Sequence, residues 1–178
     1  MASLPERSHR AENTPPSAWI VRFGESLAPG SRVLDVASGG GRHANWFARR
    51  GCQVDAVDRE TPVQLPDGVT FQLADIESAP WPYGEMRWDG VIVANYLYRP
   101  LLPKLVAAVS PGGMFIYETF AAGNERYGRP SRADFLLAPG ELLDAVRGRL
   151  EVIAYEHGFV ELPRPAVVQR IAARCPAG

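Results

Sequence analysis

The stretch "SRVLDVASGGGRHANWFARRGCQVDAVD", residues 31–58, contains the pattern that decides the fold. A short apolar run comes first, three consecutive glycines from Gly39 to Gly41 follow it, and a helix-like run covers 43–51. A second apolar run then ends the stretch. Glycine lets the backbone approach a ligand without a Cβ atom in the way. The stretch therefore predicts a strand, a ligand-binding turn, a helix and a second strand.

Apolar, strand-like runs recur along the whole chain, and most are separated by helical or turn-rich segments. The predicted strands cover 32–37, 52–58, 69–76, 88–97, 114–120, 150–161 and 166–175. Further helices are predicted over 102–113, ending at Pro111 to Gly113, and over 139–148. Strands that alternate with helices favour a doubly wound, parallel α/β sheet. The last two strands have no helix between them, so we expect an antiparallel edge.

Length and composition place the chain among ordinary globular proteins. It has 178 residues and a net charge of −1, which argues against a nucleic-acid or membrane surface. We expect a mobile tail over 1–16 and a single domain over 17–178. Cys52 and Cys175 have no metal-ligand spacing, so we expect free thiols and a cytoplasmic location. The predominance of Arg over Lys, with abundant Ala, Gly and Pro, favours a bacterial source.

Three kinds of ligand are compatible with a glycine-rich turn after a first strand. A phosphate-binding P-loop requires a Lys after its glycines, and none follows here. The dinucleotide pattern is met by Gly39, Gly41 and Ala44, and Asp58 stands where an acid accepts hydrogen bonds from ribose hydroxyls. Asp35 would repel a pyrophosphate; it suits an amino-bearing ligand or a hydrogen bond that holds the turn. These residues favour an adenosine with an amino-acid arm.

Five segments occur in the order and spacing of a known family: "VLDVASGGGRH", "VDAVD", "LADIES", "WDGVIVANYL" and "SPGGMFIYE". Over residues 17–175 the chain resembles the class I S-adenosylmethionine-dependent methyltransferases, and within them the small bacterial tellurite-resistance-like branch. The resemblance implies a Rossmann-like, mostly parallel seven-stranded sheet with an antiparallel edge, and S-adenosylmethionine as cofactor. One departure is Ala37, where the family often has glycine.

The same resemblance implies roles for individual residues. Those that would line the methionine arm of the cofactor are Asp35, Ala37, Ser38, Gly39 and Gly41. Asp58 would bind the ribose hydroxyls, Asp75 the adenine amino group, and the Ile76 N–H the adenine ring. Asn95 and Tyr96, after the fourth strand, would lie near the sulfonium and the incoming acceptor.

The segment 121–139 is long for a connection in a compact domain, which is typical of a functional loop or lid. Its Arg126, Tyr127 and Arg129 are candidates for binding a carboxylate or another anion in the acceptor. The alternative is a loop that Arg–acid pairs fasten to the domain. For Arg99 two interpretations stand side by side: a substrate contact in the cleft, or a helix cap.

No catalytic base is assigned, because a sulfonium is already an activated donor. Tyr96, His43 and Tyr127 are the candidates. The prolines that often follow Asn95 in methyltransferases acting on amino groups are missing, and no metal site is predicted. A small-molecule acceptor is the main hypothesis. The alternatives are an RNA or protein methyltransferase and a non-catalytic cofactor-binding partner subunit; the sequence predicts no oligomeric state.

Overall fold

A computed structural model describes residues 14–62 and 64–178 and contains one seven-stranded sheet. Its strands are β1 Arg32–Val36, β2 Gln53–Asp58, β3 Val69–Leu73, β4 Trp88–Ala94, β5 Val109–Phe120, β6 Glu151–Val160 and β7 Ala166–Arg174. They lie in the order β3-β2-β1-β4-β5-β7-β6. The first five in this order are parallel, and β7 is antiparallel to both of its neighbours. The predicted fold class is confirmed.

Helices cover both faces of the sheet. They are α1 Ala18–Gly24, α2 Arg42–Arg49, α3 Leu102–Ala107 and α4 Glu141–Val146, with short 3-10 helices at Arg99–Leu101, Asn124–Arg126 and Ala133–Phe135. Side chains alternate along each strand, so Val33 packs in the core beneath α1 and α2 while Leu34 packs in the core beneath α3 and α4. Two apolar cores on opposite faces make the sheet doubly wound.

The third helix is shorter than its sequence pattern predicts. It ends at Ala107, and β5 begins at Val109, before the predicted Pro–Gly–Gly stop. The Trp88 N–H donates to the carbonyl of Ala108 at 2.9 Å, so strand pairing starts immediately after the helix. A Cβ atom at Gly113 would lie 2.9 Å from two backbone carbonyl oxygens. Gly113 therefore permits a close approach of backbones within the strand.

The antiparallel edge has an order that the sequence pattern does not define. The last strand, β7, inserts between β5 and β6, with Glu118 opposite Arg170 and Phe120 opposite Val168. The preceding strand, β6, takes the outer position. As a result, the connection between β6 and β7 reaches the end of the sheet where the parallel strands finish.

Residues 121–139 form a loop, as predicted, and several contacts fix it. Ala121 and Leu137 form an isolated bridge, and Asn124 is buried, with its side-chain amide donating to the Pro130 carbonyl at 2.9 Å. The predicted mobile tail falls partly on residues 1–13, outside the described residues. Within its described residues, the Pro15 carbonyl accepts a hydrogen bond from the Arg42 guanidinium at 3.0 Å, and the mobility of the tail stays a prediction.

Candidate functional site

The carboxyl ends of β1 and β4 lie side by side and carry an unusual backbone conformation. Ala37 has φ of 52° and Asn95 has φ of 55°, the left-handed region that side chains disfavour. Each follows its strand by one residue, and Val36 pairs with Val93 in the sheet. Open α/β sheets bind ligands at this end of their strands. The two strained residues mark the place.

A cavity of about 350 Å³, here the glycine-turn cavity, opens at these strand ends. Its lining includes Ala37, Ser38, Gly39 and Asn95, so four predicted cofactor residues meet in one cavity. The Ser38 hydroxyl is buried and has no hydrogen-bond partner among the described residues. A Cβ atom at Gly39 would meet nothing within 4 Å. The cavity therefore offers a bare backbone and an unsatisfied hydroxyl to a ligand.

Asp35 lies beneath this cavity and fastens the helix that follows the turn. Its Oδ2 accepts a hydrogen bond from the Ala44 N–H at 3.0 Å, in the first turn of α2. Burial raises the pKa of Asp35 to about 7, although the Ala44 hydrogen bond and the Arg42 charge oppose the rise. The structure shows a hydrogen bond from Asp35 to the helix after the turn, and the ligand contact predicted for Asp35 stays a prediction.

Asp58 connects the end of β2 to the glycine turn. Its Oδ2 accepts from the Gly39 N–H at 2.8 Å, and its Oδ1 accepts from the Glu60 N–H at 3.0 Å. A carboxylate has further lone pairs, so these bonds leave room for a ligand hydroxyl. The ribose role predicted for Asp58 stays a prediction, and the structure places its carboxylate at the turn.

Asp75 and Ile76 follow β3, on the far side of β2 from the glycine turn. Asp75 accepts hydrogen bonds from Ser78 Oγ and from the N–H groups of Glu77 and Ser78, and these bonds lower its pKa. The side chain of Ile76 is buried in the core beneath α3 and α4. Asp75 is exposed and ionised at the strand end, and its adenine role stays a prediction.

Of the candidates for proton transfer, His43 is buried and hydrogen-bonded, and Tyr96 is half-buried. His43 Nε2 accepts a hydrogen bond from the Ser17 N–H at 3.2 Å, and burial lowers its pKa to about 3. The Tyr96 hydroxyl is buried, and burial together with the nearby Glu77 carboxylate raises its pKa. His43 is therefore a neutral acceptor that is already engaged. Neither arrangement supports a general base.

A second cavity of about 630 Å³, here the hairpin cavity, adjoins the first. Its walls come from residues 14–18, from the ends of β4 and β5, and from the β6–β7 connection. Thr14, Arg42 and Asn95 line both cavities. The two spaces therefore meet at these three residues.

The loop residues predicted to bind substrate lie elsewhere. Arg99 forms an ion pair with Glu141 at 2.6 Å and donates to the carbonyls of Asp134 and Leu136 at 2.9 and 2.8 Å. It thereby fastens the 121–139 loop to α4, and the substrate contact considered for Arg99 stays a prediction. Neither cavity includes Arg99 in its lining.

The other three candidates lie on the outside of the same loop. Tyr127 is exposed and packs against the ring of Phe159, with centroids 5.0 Å apart. Arg126 and Arg129 are exposed, and the Arg129 carbonyl accepts a hydrogen bond from Arg164 at 3.0 Å. None of the three lines a cavity found in the described residues. Their substrate role, and the base role of Tyr127, stay predictions.

Apart from Asn95, sequence reasoning missed the residues that line the hairpin cavity. Glu118 lies within the apolar run of β5 and is buried against Arg170, with Arg170 Nε 3.0 Å from Glu118 Oε2. Arg164 lies in the β6–β7 connection with its guanidinium 5.1 Å from the Phe120 ring centroid. An acid inside an otherwise apolar strand is a signal that could have identified Glu118. No comparable signal marks Arg164.

Among residues 14–62 and 64–178, no group of three or more His, Cys, Asp or Glu residues is arranged to hold a metal ion. The helices of this part of the chain are also all too short or too polar to cross a membrane.

Comparisons with known proteins agree with this architecture, although no family model matches the sequence. Over 106 residues the chain is 30% identical to malonyl-[acyl-carrier protein] O-methyltransferase from Salmonella typhimurium, a match covering 52% of this chain and 40% of that relative. The 1,6-didemethyltoxoflavin-N1-methyltransferase of Burkholderia thailandensis aligns at TM-score 0.65 and 20% identity, over 89% of this chain and 75% of that one. TehB from Haemophilus influenzae aligns at TM-score 0.68 and 18% identity, over 88% and 61%.

The fold is that of the S-adenosylmethionine-dependent methyltransferases, and the resemblance inferred from the sequence is confirmed at the level of the fold. The Burkholderia structure holds S-adenosylhomocysteine. This chain spans less than half of the length of its curated relative.

Proposed function

We propose that this chain binds S-adenosylmethionine and transfers its methyl group to a small molecule. The observation that carries the proposal is the meeting of two cavities at Thr14, Arg42 and Asn95. One cavity has the glycine turn expected for the cofactor, and the other is a separate space of about 630 Å³. Transfer between two bound molecules requires such adjoining spaces, because the reacting atoms must come into contact.

The residues of the glycine-turn cavity suit the proposed cofactor. The buried Ser38 hydroxyl lacks a partner among the described residues, so a polar ligand group would satisfy it. Gly39 leaves its backbone open, and Asp58 and Asp75 present carboxylates at the ends of β2 and β3. In this proposal Ser38 and Gly39 hold the amino-acid arm, Asp58 the ribose, and Asp75 the adenine.

S-adenosylmethionine, when bound, supplies an activated methyl group on a positively charged sulfur. The chain's own contribution is orientation and exclusion of water. Asn95 lies at the junction, where its side chain can align an acceptor, and its N–H donates to the Glu118 carbonyl at 2.9 Å. We therefore assign Asn95 a positioning role and retain no general base among His43 and Tyr96.

A cavity of about 630 Å³ suits a small-molecule acceptor better than it suits a macromolecule. The Burkholderia neighbour is a methyltransferase with the small molecule 1,6-didemethyltoxoflavin bound. The Salmonella relative, by its name, methylates a group on a carrier protein. The alternatives for this chain are a macromolecular acceptor or a non-catalytic partner subunit. A cytoplasmic setting is part of the proposal, and the free state of Cys52 and Cys175 accords with a reducing compartment.

The first experiment is calorimetric titration with S-adenosylmethionine, S-adenosylhomocysteine and NADH. Asp58→Asn removes the charge at the proposed ribose contact and can keep one hydrogen bond to Gly39. We expect it to weaken binding of both adenosyl ligands by about tenfold to a hundredfold. Asp144→Asn, an exposed acid paired with Arg147 on α4, is the matched control. Binding of NADH alone would overturn the proposal.

Transfer is measured separately, with labelled S-adenosylmethionine and a broad panel of small acceptors. Incorporation of label into a small molecule would support the proposal that the chain is a small-molecule methyltransferase. Cofactor binding without transfer to any acceptor would favour the partner-subunit alternative. Transfer only to RNA or protein would favour a macromolecular acceptor, and salt-dependent RNA binding would accompany it.

A further inference from the structure

The hairpin cavity has a polar inner end, an apolar middle and a cationic outer end. One wall of the cavity is formed by β5 and β7. Two cross-strand pairs of these strands lie on the same face of the sheet. The pair Glu118 and Arg170 comes first, and the pair Phe120 and Val168 comes two residues later. Residues two apart on a strand are separated by roughly 7 Å, about the width of one aromatic ring.

The inner end is the one nearest the cofactor. Ala94 pairs with Glu118 in the sheet, and the Asn95 N–H donates to the Glu118 carbonyl at 2.9 Å. The Glu118 carboxylate is neutralised by Arg170, with 3.0 Å between Arg170 Nε and Glu118 Oε2. Arg170 is also 3.4 Å from Glu156 and 5.9 Å from the Trp19 ring centroid. Arg42 also lines this end and donates to the Pro15 carbonyl at 3.0 Å, so the inner end combines hydrogen-bonding groups with a guanidinium beside the proposed cofactor site.

The outer end has a cation without an acidic partner. Arg164 donates one hydrogen bond to the Arg129 carbonyl at 3.0 Å and lies 5.1 Å from the Phe120 ring centroid. No carboxylate pairs with Arg164 in the described part of the chain. The backbone bond and the ring hold the guanidinium in place, so little ordering is needed before it binds a ligand. Its remaining N–H groups match a carboxylate.

We infer that the acceptor is a flat, largely apolar small molecule that carries a carboxylate at the end remote from the methylated atom. Its carboxylate binds Arg164, its body packs on Phe120 and Val168, and its reacting end lies at Asn95 beside the Glu118–Arg170 pair. The inference rests on the proposed function and adds the substrate class to it. The loop arginines that the sequence favours for this task, Arg126 and Arg129, are not used.

The test uses the full chain loaded with S-adenosylhomocysteine, whose binding is measured first. Benzoate and 3- and 4-hydroxybenzoate are then titrated by calorimetry beside their matched amides. We expect at least one acid to bind about tenfold more tightly than its amide. Raising the salt concentration from about 50 to 300 mM should weaken binding of the acid and leave binding of the amide unchanged, because the contact with Arg164 is exposed and salt screens it.

Arg164→Gln should reduce the preference for the acid to about twofold or less, with S-adenosylhomocysteine affinity unchanged. Arg147→Gln, which removes an exposed arginine that lines neither cavity, should change neither the preference for the acid nor the affinity for S-adenosylhomocysteine. Equal affinities for acid and amide, no binding of any acid, or a preference that survives in Arg164→Gln would overturn the inference. Failure to bind S-adenosylhomocysteine would instead defeat the proposed function, so the two failures are distinct.

Discussion

Ala37 and Asn95 adopt the same left-handed backbone conformation at the ends of neighbouring parallel strands, with φ of 52° and 55°. They are the non-glycine residues with positive φ in the described part of the chain, and both line the glycine-turn cavity. Such strained positions concentrate at binding sites because the surrounding structure has to enforce them. The location of backbone strain and the location of the proposed cofactor site therefore coincide.

Ala37→Gly should stabilise the protein, because glycine adopts this φ without a clash of Cβ. We expect a gain of about 1 kcal/mol in the free energy of unfolding, or roughly 2 to 4 °C in Tm. The measurement is thermal and urea unfolding. Ala48→Gly makes the same chemical change within helix α2, where it should cost about 1 kcal/mol. Equal destabilisation by both substitutions would contradict the strain at Ala37.

Asp35→Asn should stabilise the protein increasingly as pH rises. The folded-state pKa of about 7 lies above the ordinary 3.8, so folding takes up a proton. The stability tied to that proton is fully present below about pH 4 and is lost as pH rises through 7. Asparagine keeps an acceptor for the Ala44 N–H and has no charge to bury.

Between pH 5 and 8 the stability difference between Asp35→Asn and the wild type should grow by about 2 kcal/mol. Urea unfolding at several pH values measures it. The same substitution at exposed Asp144 should show no such trend. A difference that is constant with pH would mean that Asp35 is ionised throughout.

His43→Gln should remove a sensitivity to acid. Burial lowers the folded-state pKa of His43 from 6.5 to about 3, so the unfolded chain takes up a proton that the folded chain does not. The stability contributed by neutral His43 is present above pH 6.5 and is lost as pH falls below that value. Glutamine retains an acceptor oxygen for the Ser17 N–H and does not titrate.

Relative to the wild type, His43→Gln should become more stable by about 2 kcal/mol when pH falls from 7 to 5. Unfolding experiments at pH 5, 6 and 7 measure this change. His157→Gln, on edge strand β6 and exposed, is the matched control. Parallel pH profiles for His43→Gln and the wild type would show that His43 can be protonated in the folded state.

Arg99→Gln should release the 121–139 loop. The substitution removes the ion pair with Glu141 and the bonds to two loop carbonyls. We expect a loss of about 1 to 2 kcal/mol in stability and faster proteolysis within the loop, with cofactor affinity unchanged. Arg147→Gln, which breaks an exposed pair, should cost about 0.5 kcal/mol or less. If Arg99→Gln bound the acceptor more weakly while its loop stayed intact, the result would support a substrate contact by Arg99.

Hydrophobic periodicity and the turn-forming Gly and Pro residues were sufficient to predict the strands and the fold class. The runs that became β1, β2, β4 and β5 are apolar because both faces of a central parallel strand are buried. The segment 102–113 was misjudged, because Pro111 to Gly113 resemble a helix stop whereas they lie within β5. That choice depended on pairing with Trp88 and on carbonyl contacts at Gly113, which local patterns do not encode.

The candidate site residues show the same difference between what a local pattern predicts and what long-range contacts decide. Ser38 and Gly39 follow β1 and Asn95 follows β4, as the sequence pattern predicted, because only a few residues separate each from its strand; their cofactor roles stay predictions. For Arg99 the sequence left a substrate contact and a helix cap open, and Tyr127 was only a candidate. The structure packs both against other parts of the domain, and their substrate roles stay predictions. Arg164 passed unnoticed, because an arginine in a proline-rich turn has no distinctive local pattern.

The sequence alone determined the succession of the seven strands along the chain and the strand ends at which we propose that a ligand lies, because these follow from local periodicity and from glycine. Only the tertiary structure decided what faces the proposed acceptor. Insertion of β7 between β5 and β6 places Arg170 beside Glu118 and brings Arg164 to Phe120. Such long-range pairing depends on the packing of the whole sheet, so no short stretch of sequence specifies it.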